Sequence, residues 1–553
     1  MKNKFLIKFI SVIIAVSTVL ILYLPVTVSA KEYTTDEIYK IATDLINWKK
    51  SDNGAVQSGN LINNKYLELA GTTPGDWYQI GMSRLEIEDD YASYLAVIED
   101  KIESRYATKN KLSKAKATEW HRISLSVLAS GGDPQNIGTD QNGNAINLIA
   151  DGTYNRGLTA PLGRQGINGW IWGLIALDSM KYKIPEDAYN TREDIINEIL
   201  SKKLSDGGFA LSGKTYDTDI TAMVIQCLAP YYGTRNDVTE TIDKAITLLS
   251  ANQLETGDFS SWEMPNSEST SQVIIALCSL GIDPFSDSRF IKNGNNLLDG
   301  LLRYRMTDGG FIHSYTYDAN NPTAQPDKSN TMAGEQALLA LASLWRLKNG
   351  KTSLYDFTDK EKTVITGFTA EDKQIVDSLP EELSTDDYVT VISLLKKLED
   401  SEDFEDKKIY LQKLKDAKAK IDDIQNKIDN INNNISTHVS PQKEETTSYA
   451  LDPDLYFEEE TSSIPEDSIM DLDSIIKEYE SLPETDKSKI EAYEDVVKAK
   501  TKKTTAKRAV IISIICILAI GLSVAIIILR IRKRKRLKET EMEELAELYR
   551  CEE

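Results

Sequence analysis

A repeat limits the fold more than any other feature. The Gly-rich turns SDGGFAL (Ser205–Leu211), ETGDFSSW (Glu255–Trp262) and TDGGFIH (Thr307–His313) recur about fifty residues apart. An apolar segment follows each one. ISLSVLASGGDPQN (Ile123–Asn136), GLIALDSM (Gly173–Met180), MVIQCLAP (Met223–Pro230), VIIALCSLGIDPFS (Val273–Ser286) and QALLALASLWRL (Gln336–Leu347) fit one template. A helix that is apolar all round is buried all round. The segments between them are apolar on one face only. Tyr91, Tyr94, Leu95, Ile98 and Ile102 make one stripe, Ile195, Ile196, Ile199, Leu200 and Leu204 a second, and Val238, Ile242, Ala245, Ile246 and Leu249 a third. Such helices keep one face in water.

Alternation of the two kinds predicts a double ring, with buried helices inside and amphipathic helices outside. Small residues on the inner set (Gly173, Ala176, Ala222, Ala276, Gly334, Ala340) permit close approach. Inner segments are expected to start near Trp77, Glu119, Gly166, Asp217, Glu268 and Thr331. Outer segments are expected near Thr35, Asp90, Ala145, Pro185, Asp237 and Ser286. The predicted fold is all-α: an (α/α)6 toroid over residues 31–357, then a helical stalk and one membrane helix.

Aligned on their A-L-x-S ends, the repeats put Thr118, Asn168, Asp219, Glu268 and Met332 at one position. Two residues on come Trp120, Trp170, Thr221, Thr270 and Gly334. Arg122, Trp172, Met223, Gln272 and Gln336 follow after two more. All lie at the starts of inner helices, where free N–H groups and the helix dipole favour polar ligands. The expected binding set is Asp219, Glu268, Asn168, Gln165, Trp120, Trp170, Trp172, Gln272 and Gln336. A polar and aromatic ring of this kind suits a small amphipathic molecule. The competing reading makes the acids helix caps and the tryptophans packing between rings. In D-T-D-I-T-A-M, Asp217 is expected to cap its helix and Asp219 to face the cavity.

The termini predict a topology. Lys2, Lys4 and Lys8 precede an apolar run, and V-S-A ends at Ala30, so residues 1–30 read as a signal peptide. Ala509–Leu529 is uncharged and long enough to span a bilayer. The basic block from Arg530 to Lys538 opens a cytoplasmic tail, 530–553. The bulk is then extracellular on a single-pass, surface-anchored chain. The formal net charge of −22 argues against nucleic acid as a partner. Cys227 and Cys278 sit in apolar helices and read as free thiols, and no zinc-ligand spacing occurs. No metal is expected.

The DGGF turns and GDFSSW resemble the repeats of squalene cyclases and prenyltransferase β subunits. QGINGWIWGLIALDS (Gln165–Ser179), DTDITAM (Asp217–Met223) and ESTSQVIIALCSLGIDP (Glu268–Pro284) resemble bacterial secreted toroids of that superfamily, which includes the cobalamin carriers. The resemblance implies the toroid over little more than half the chain. It allows an isoprenoid or cobalamin-like ligand and predicts no cofactor. In class II terpene cyclases D-x-D-D-T-A supplies the protonating acid, to which Asp217, Asp219, Thr221 and Ala222 correspond. Ile220 stands where a further aspartate should be, and a single ring replaces two barrels. The zinc prenyltransferases need a Cys and His pair, and His313 has no suitable cysteine. A carbohydrate-active (α/α)6 enzyme pairing Asp219, Glu268 or Glu335 as acid and base is the other catalytic alternative. The leading expectation is a non-catalytic domain that binds a small molecule or a surface protein.

Residues 358–436 read as a helical module. Tyr410, Leu414, Ala417, Ile421, Ile424, Ile428, Ile431 and Ile435 make an a/d seam, expected to pair within the chain or between chains. Residues 437–466 read as a disordered linker and 467–508 as a juxtamembrane helical piece.

Overall fold

A computed structural model of the chain describes residues 31–107, 111–157, 161–317, 325–361, 367–438 and 470–550. The expected signal peptide and nearly all of the expected linker lie outside these residues. Two compact units are present.

The first unit holds the toroid. Its inner helices are α2 (Thr73–Arg84), α4 (Ala117–Ala129), α5 (Ile167–Asp178), α7 (Thr218–Leu228), α9 (Ser267–Ser279) and α11 (Thr331–Lys348). Each packs on the next in this order, and α11 closes the ring on α2. Outside them lie α1 (Thr35–Asp52), α3 (Tyr91–Tyr106), a π-helical turn (Ala150–Tyr154), α6 (Arg192–Ser201), α8 (Asn236–Asn252) and α10 (Leu297–Leu302). The amphipathic stripes face inward as expected: Val238, Ile242, Ala245, Ile246 and Leu249 of α8 are all buried. Two outer segments are short and begin after the expected Ala145 and Ser286, at Ala150 and Leu297. Before the π turn, Asp140 folds the chain tightly by accepting from the N–H groups of Asn142 and Asn144. Before α10, Asp287 ties down Arg289 and Gly294 adopts a positive φ. Asp, Asn and Gly favour such turns over helix.

The repeat has a local cause. In the last three turns the buried Phe209, Phe259 and Phe311 hold the start of the next inner helix. Phe209 O accepts from Asp217 N at 2.7 Å, Phe259 pairs with Asn266 in the hairpin of β1 (Phe259–Ser261) and β2 (Met264–Asn266), and Phe311 O accepts from Asn330 N at 2.9 Å. Asp217, Asn266 and Asn330 are the N-caps of α7, α9 and α11, and each side chain accepts from the third residue on. Glycines allow close approach both of the turn that leads into α5 and of one inner helix to another. A Cβ on Gly169 would collide with the Leu162 carbonyl, and one on Gly334 with the Tyr78 hydroxyl.

One end of the ring is sealed. Arg84 and Arg346, at the C-terminal ends of α2 and α11, donate to residues of the segment 352–359. That segment crosses to α5, which faces α11 across the ring, where Phe357 N donates to Ser179 O at 2.8 Å. Tyr355 dips into the axis and packs edge-on against Trp172, ring centroids 5.5 Å apart. The same unit takes in α12 (Ala370–Asp377) and α13 (Tyr388–Asp400). Helix α13 docks on α3 through Tyr388–Asp100 at 2.5 Å and Lys396–Glu99 at 3.0 Å.

The second unit contains the C-terminal part of α14 (Lys407–His438), α15 (Leu472–Glu480) and α16 (Tyr493–Arg550). Ile428, Ile431 and Ile435 of the seam pack with Ile475, Leu482, Ile490 and Val496. This half of the seam is therefore covered from within the chain. Helix α16 is long and apolar enough to cross a membrane, and the apolar residues from Val510 to Leu529 are exposed.

Candidate functional site

The N-caps of α4, α5, α7, α9 and α11 are Lys116, Gly166, Asp217, Asn266 and Asn330. Thr118, Asn168, Asp219, Glu268 and Met332 each fall two residues inside, so the register read from the repeats corresponds to one helical position. At this open end Trp77, Trp170, Met332 and Gln336 stay half-buried, whereas most residues of the inner helices are buried.

Asp217 caps α7. Its Oδ1 accepts from Ile220 N at 3.0 Å and its Oδ2 from Ser261 Oγ at 3.0 Å. Asp219 is 4% exposed, and its Oδ1 has no hydrogen-bond partner among the described residues. Burial, then the charge of Asp217 and more weakly that of Glu268, push its carboxyl well above the ordinary carboxylate range, against the pull of the Ser269 hydroxyl and of His313. Glu268, on the adjacent helix, is fully buried. Its Oε2 lies 2.8 Å from His313 Nδ1 and accepts from Ser267 Oγ at 2.9 Å, while its Oε1 has no partner among the described residues. The fourth residue of D-T-D-I, Ile220, is buried.

A polar ladder continues across the ring. Gln226 Nε2 donates to Gln272 Oε1 at 2.8 Å, and Gln272 Nε2 donates to Gln336 Oε1 at 3.0 Å. Asn168 is buried with Oδ1 unpartnered. Gln165 instead serves the start of α4, accepting from Thr118 N and donating to Thr118 Oγ1. Trp120 turns outward. Its indole donates to Tyr106 of the outer layer, and the Arg156 guanidinium covers its ring. Trp170 lies against Gly163. Trp172 packs between Trp77, 5.2 Å away, and Tyr355. Glu335 is buried on α11. The described residues hold no cluster of His, Cys, Asp and Glu able to bind a metal ion.

From the sequence His313 is weighed only as a metal ligand, whereas it pairs with Glu268. Its signal is the position two residues beyond each buried Phe. Ser261 and His313 both occupy it, and both reach back to the preceding inner helix, Ser261 to Asp217 and His313 to Glu268. Trp262 was missed too. It sits with Glu263 at the tip of the β1–β2 hairpin at φ 52° and 64°, and is 69% exposed.

No family model and no curated protein matches the chain. Among solved structures, the chain is similar to the unsaturated glucuronyl hydrolase of Bacillus sp. GL1, described as responsible for degradation of glycosaminoglycan. The match has 13% identity and a TM-score of 0.36, and covers 58% of this chain and 99% of that one. At that identity and score, neither the activity nor the site of that enzyme carries over.

Proposed function

We propose that the chain is a membrane-anchored toroid that binds a neutral amphipathic molecule at the open end of its inner ring, with Asp219 as the principal contact in its protonated form. Asp219 carries this reading. A buried carboxyl with an unpartnered oxygen costs free energy unless something supplies its hydrogen bond. Its raised pKa suits a neutral ligand, because a protonated acid both donates and accepts. The half-buried Trp170, on the neighbouring α5, and Trp77, across the ring on α2, offer apolar surface at the same end. The signal peptide, an extracellular toroid and a cytoplasmic tail belong to the same proposal.

A second reading is favoured by the His313–Glu268 pair next to Asp219. A protonated Asp219 backed by such a pair is arranged to give up a proton, as in the resemblance to class II terpene cyclases or in a carbohydrate-active enzyme. Native mass spectrometry of the detergent-solubilised full chain after exposure to a metabolite extract tests the binding. Asp219→Asn, neutral and nearly isosteric, should retain the bound mass, and Asp219→Leu should lose it. Retention by Asp219→Leu removes Asp219 from the site. Turnover of the bound molecule by the wild type but not by Asp219→Asn selects the catalytic reading.

A further inference from the structure

We infer that the ligand of this site is a neutral saccharide chain, with one terminal ring at Asp219 and a following ring stacked on Trp262. The inference rests on the binding reading above and names its substrate class. Two independent observations carry it.

The first is the sign of the unmet hydrogen bonds. Asn168 Oδ1, Asp219 Oδ1, Gln226 Oε1 and Glu268 Oε1 are buried on three consecutive inner helices without a partner among the described residues. Three of these oxygens accept, that of the protonated Asp219 accepts or donates, and the Ser269 and Ser271 hydroxyls on α9 are unpartnered among the described residues as well. A purely apolar ligand would leave them unmet, and an anion would be repelled by them. A molecule rich in hydroxyl donors satisfies them.

The second is the lip. Trp262 is 69% exposed at the tip of a hairpin whose two turn residues both have positive φ without being glycine. A two-residue hairpin turn takes positive φ at both central residues and is usually built with Asn or Gly; here a large aromatic side chain holds one of these places. The hairpin stands on the same helix start as the acid, since Thr218 Oγ1 donates to Ser260 O at 2.8 Å and Ser261 reaches Asp217. Tyr315, two residues beyond His313, is committed to the outer layer, stacking on Tyr304 with centroids 5.7 Å apart and donating its hydroxyl to Arg303 O, so Trp262 is the aromatic of the lip. An exposed indole on a hairpin tied to the start of α7, together with buried polar atoms on that helix and its neighbours, matches the two sides of a sugar ring. Its C–H face packs on aromatics and its hydroxyls donate.

Titration of the detergent-solubilised full chain by calorimetry tests this. The probes are the neutral tetrasaccharides of glucose, mannose and N-acetylglucosamine, with tetragalacturonate as the anionic control and farnesol as the apolar one. Binding of a neutral tetrasaccharide and not of the controls is expected. Trp262→Ala should weaken it by about threefold to tenfold, the range of an aromatic contact, and leave the affinity for the matching monosaccharide unchanged. Trp262→Gly, which relieves the turn, should behave alike with an intact thermal melt, separating lost stacking from lost folding. Equal tetrasaccharide affinity in wild type and both variants overturns the role of Trp262. Binding of farnesol alone overturns the saccharide while leaving a ligand at Asp219. If no probe binds while the extract yields an Asp219-dependent mass of another chemistry, the inference fails and the site stands. If the extract yields none either, both fall.

Discussion

Replacing Asp219 with Asn removes one titrating group and keeps its shape, so it isolates the electrostatics of the site. Burial, then Asp217 and Glu268, hold the Asp219 carboxyl well above its ordinary range. An unfolded aspartate titrates near about 3.9. Between that value and the folded pKa, the native state holds a proton that the unfolded state has released. Stability therefore falls as pH rises through this window, is unaffected below it, and has fallen by the full amount above the folded pKa. The slope is about 1.4 kcal/mol per pH unit, or about 2.7 kcal/mol over two units inside the window. Other buried acids also titrate, among them Asp89, Glu99 and Asp178, which burial raises. They are present in both proteins and cancel in the difference. Urea unfolding followed by tryptophan fluorescence measures it, since all the tryptophans lie between Trp48 and Trp345 and report on the toroid. The stability of Asp219→Asn minus that of wild type should climb with pH from about pH 4.5 at up to the slope given above. Parallel profiles, or a difference that falls with pH, would show that Asp219 ionises as readily in the folded as in the unfolded chain, and would refute its protonated role.

Asp217→Ala removes the cap of α7 and the acceptor of Ser261, and should cost about 1–2 kcal/mol by the same urea assay; an unchanged midpoint would deny the capping role. Gly169→Ala drives a methyl group into the Leu162 carbonyl and should cost about 1–3 kcal/mol, read as a lowered Tm of the toroid transition. A chain ended before Tyr493 lacks the apolar helix, and should move from the carbonate-resistant membrane pellet to the soluble fraction; retention in the pellet would remove α16 as the anchor.

What the sequence disclosed follows the range of the interactions. The inner register was legible because Asp217, Asn266 and Asn330 cap helices within a few residues of the Phe that fixes them, and local chemistry repeats visibly. The cap at Asp217 and the placement of Asp219 two residues inside could both be read from D-T-D-I-T-A-M. The partner of Glu268 was harder to read, because His313 lies 45 residues away and meets it only when the next repeat's turn packs back on α9. The outward turn of Trp120 was hidden for the same reason: Tyr106 and Arg156 are distant in sequence, and helical spacing alone does not say which layer a tryptophan serves. The shortness of the outer segments at Ala150 and Leu297 follows from the turn chemistry of Asp140 and Asp287, which apolar spacing does not register. The direction in which the seam of α14 finds its cover depends on Ile475 and Val496, which lie beyond the long polar segment.

The strap from Thr352 to Asp359 covers one end of the inner ring, pinned by two buried arginines and with Tyr355 against Trp172. Under the proposed reading, a ligand of Asp219 would have to arrive and depart at the opposite end. A polymer could not be threaded through such a ring and advanced stepwise. Only its free end could be seated, and an internal segment would ride across the lip without reaching the acid. Entry and exit would then compete for the same passage, and a tightly held fragment would exclude the next molecule until it left.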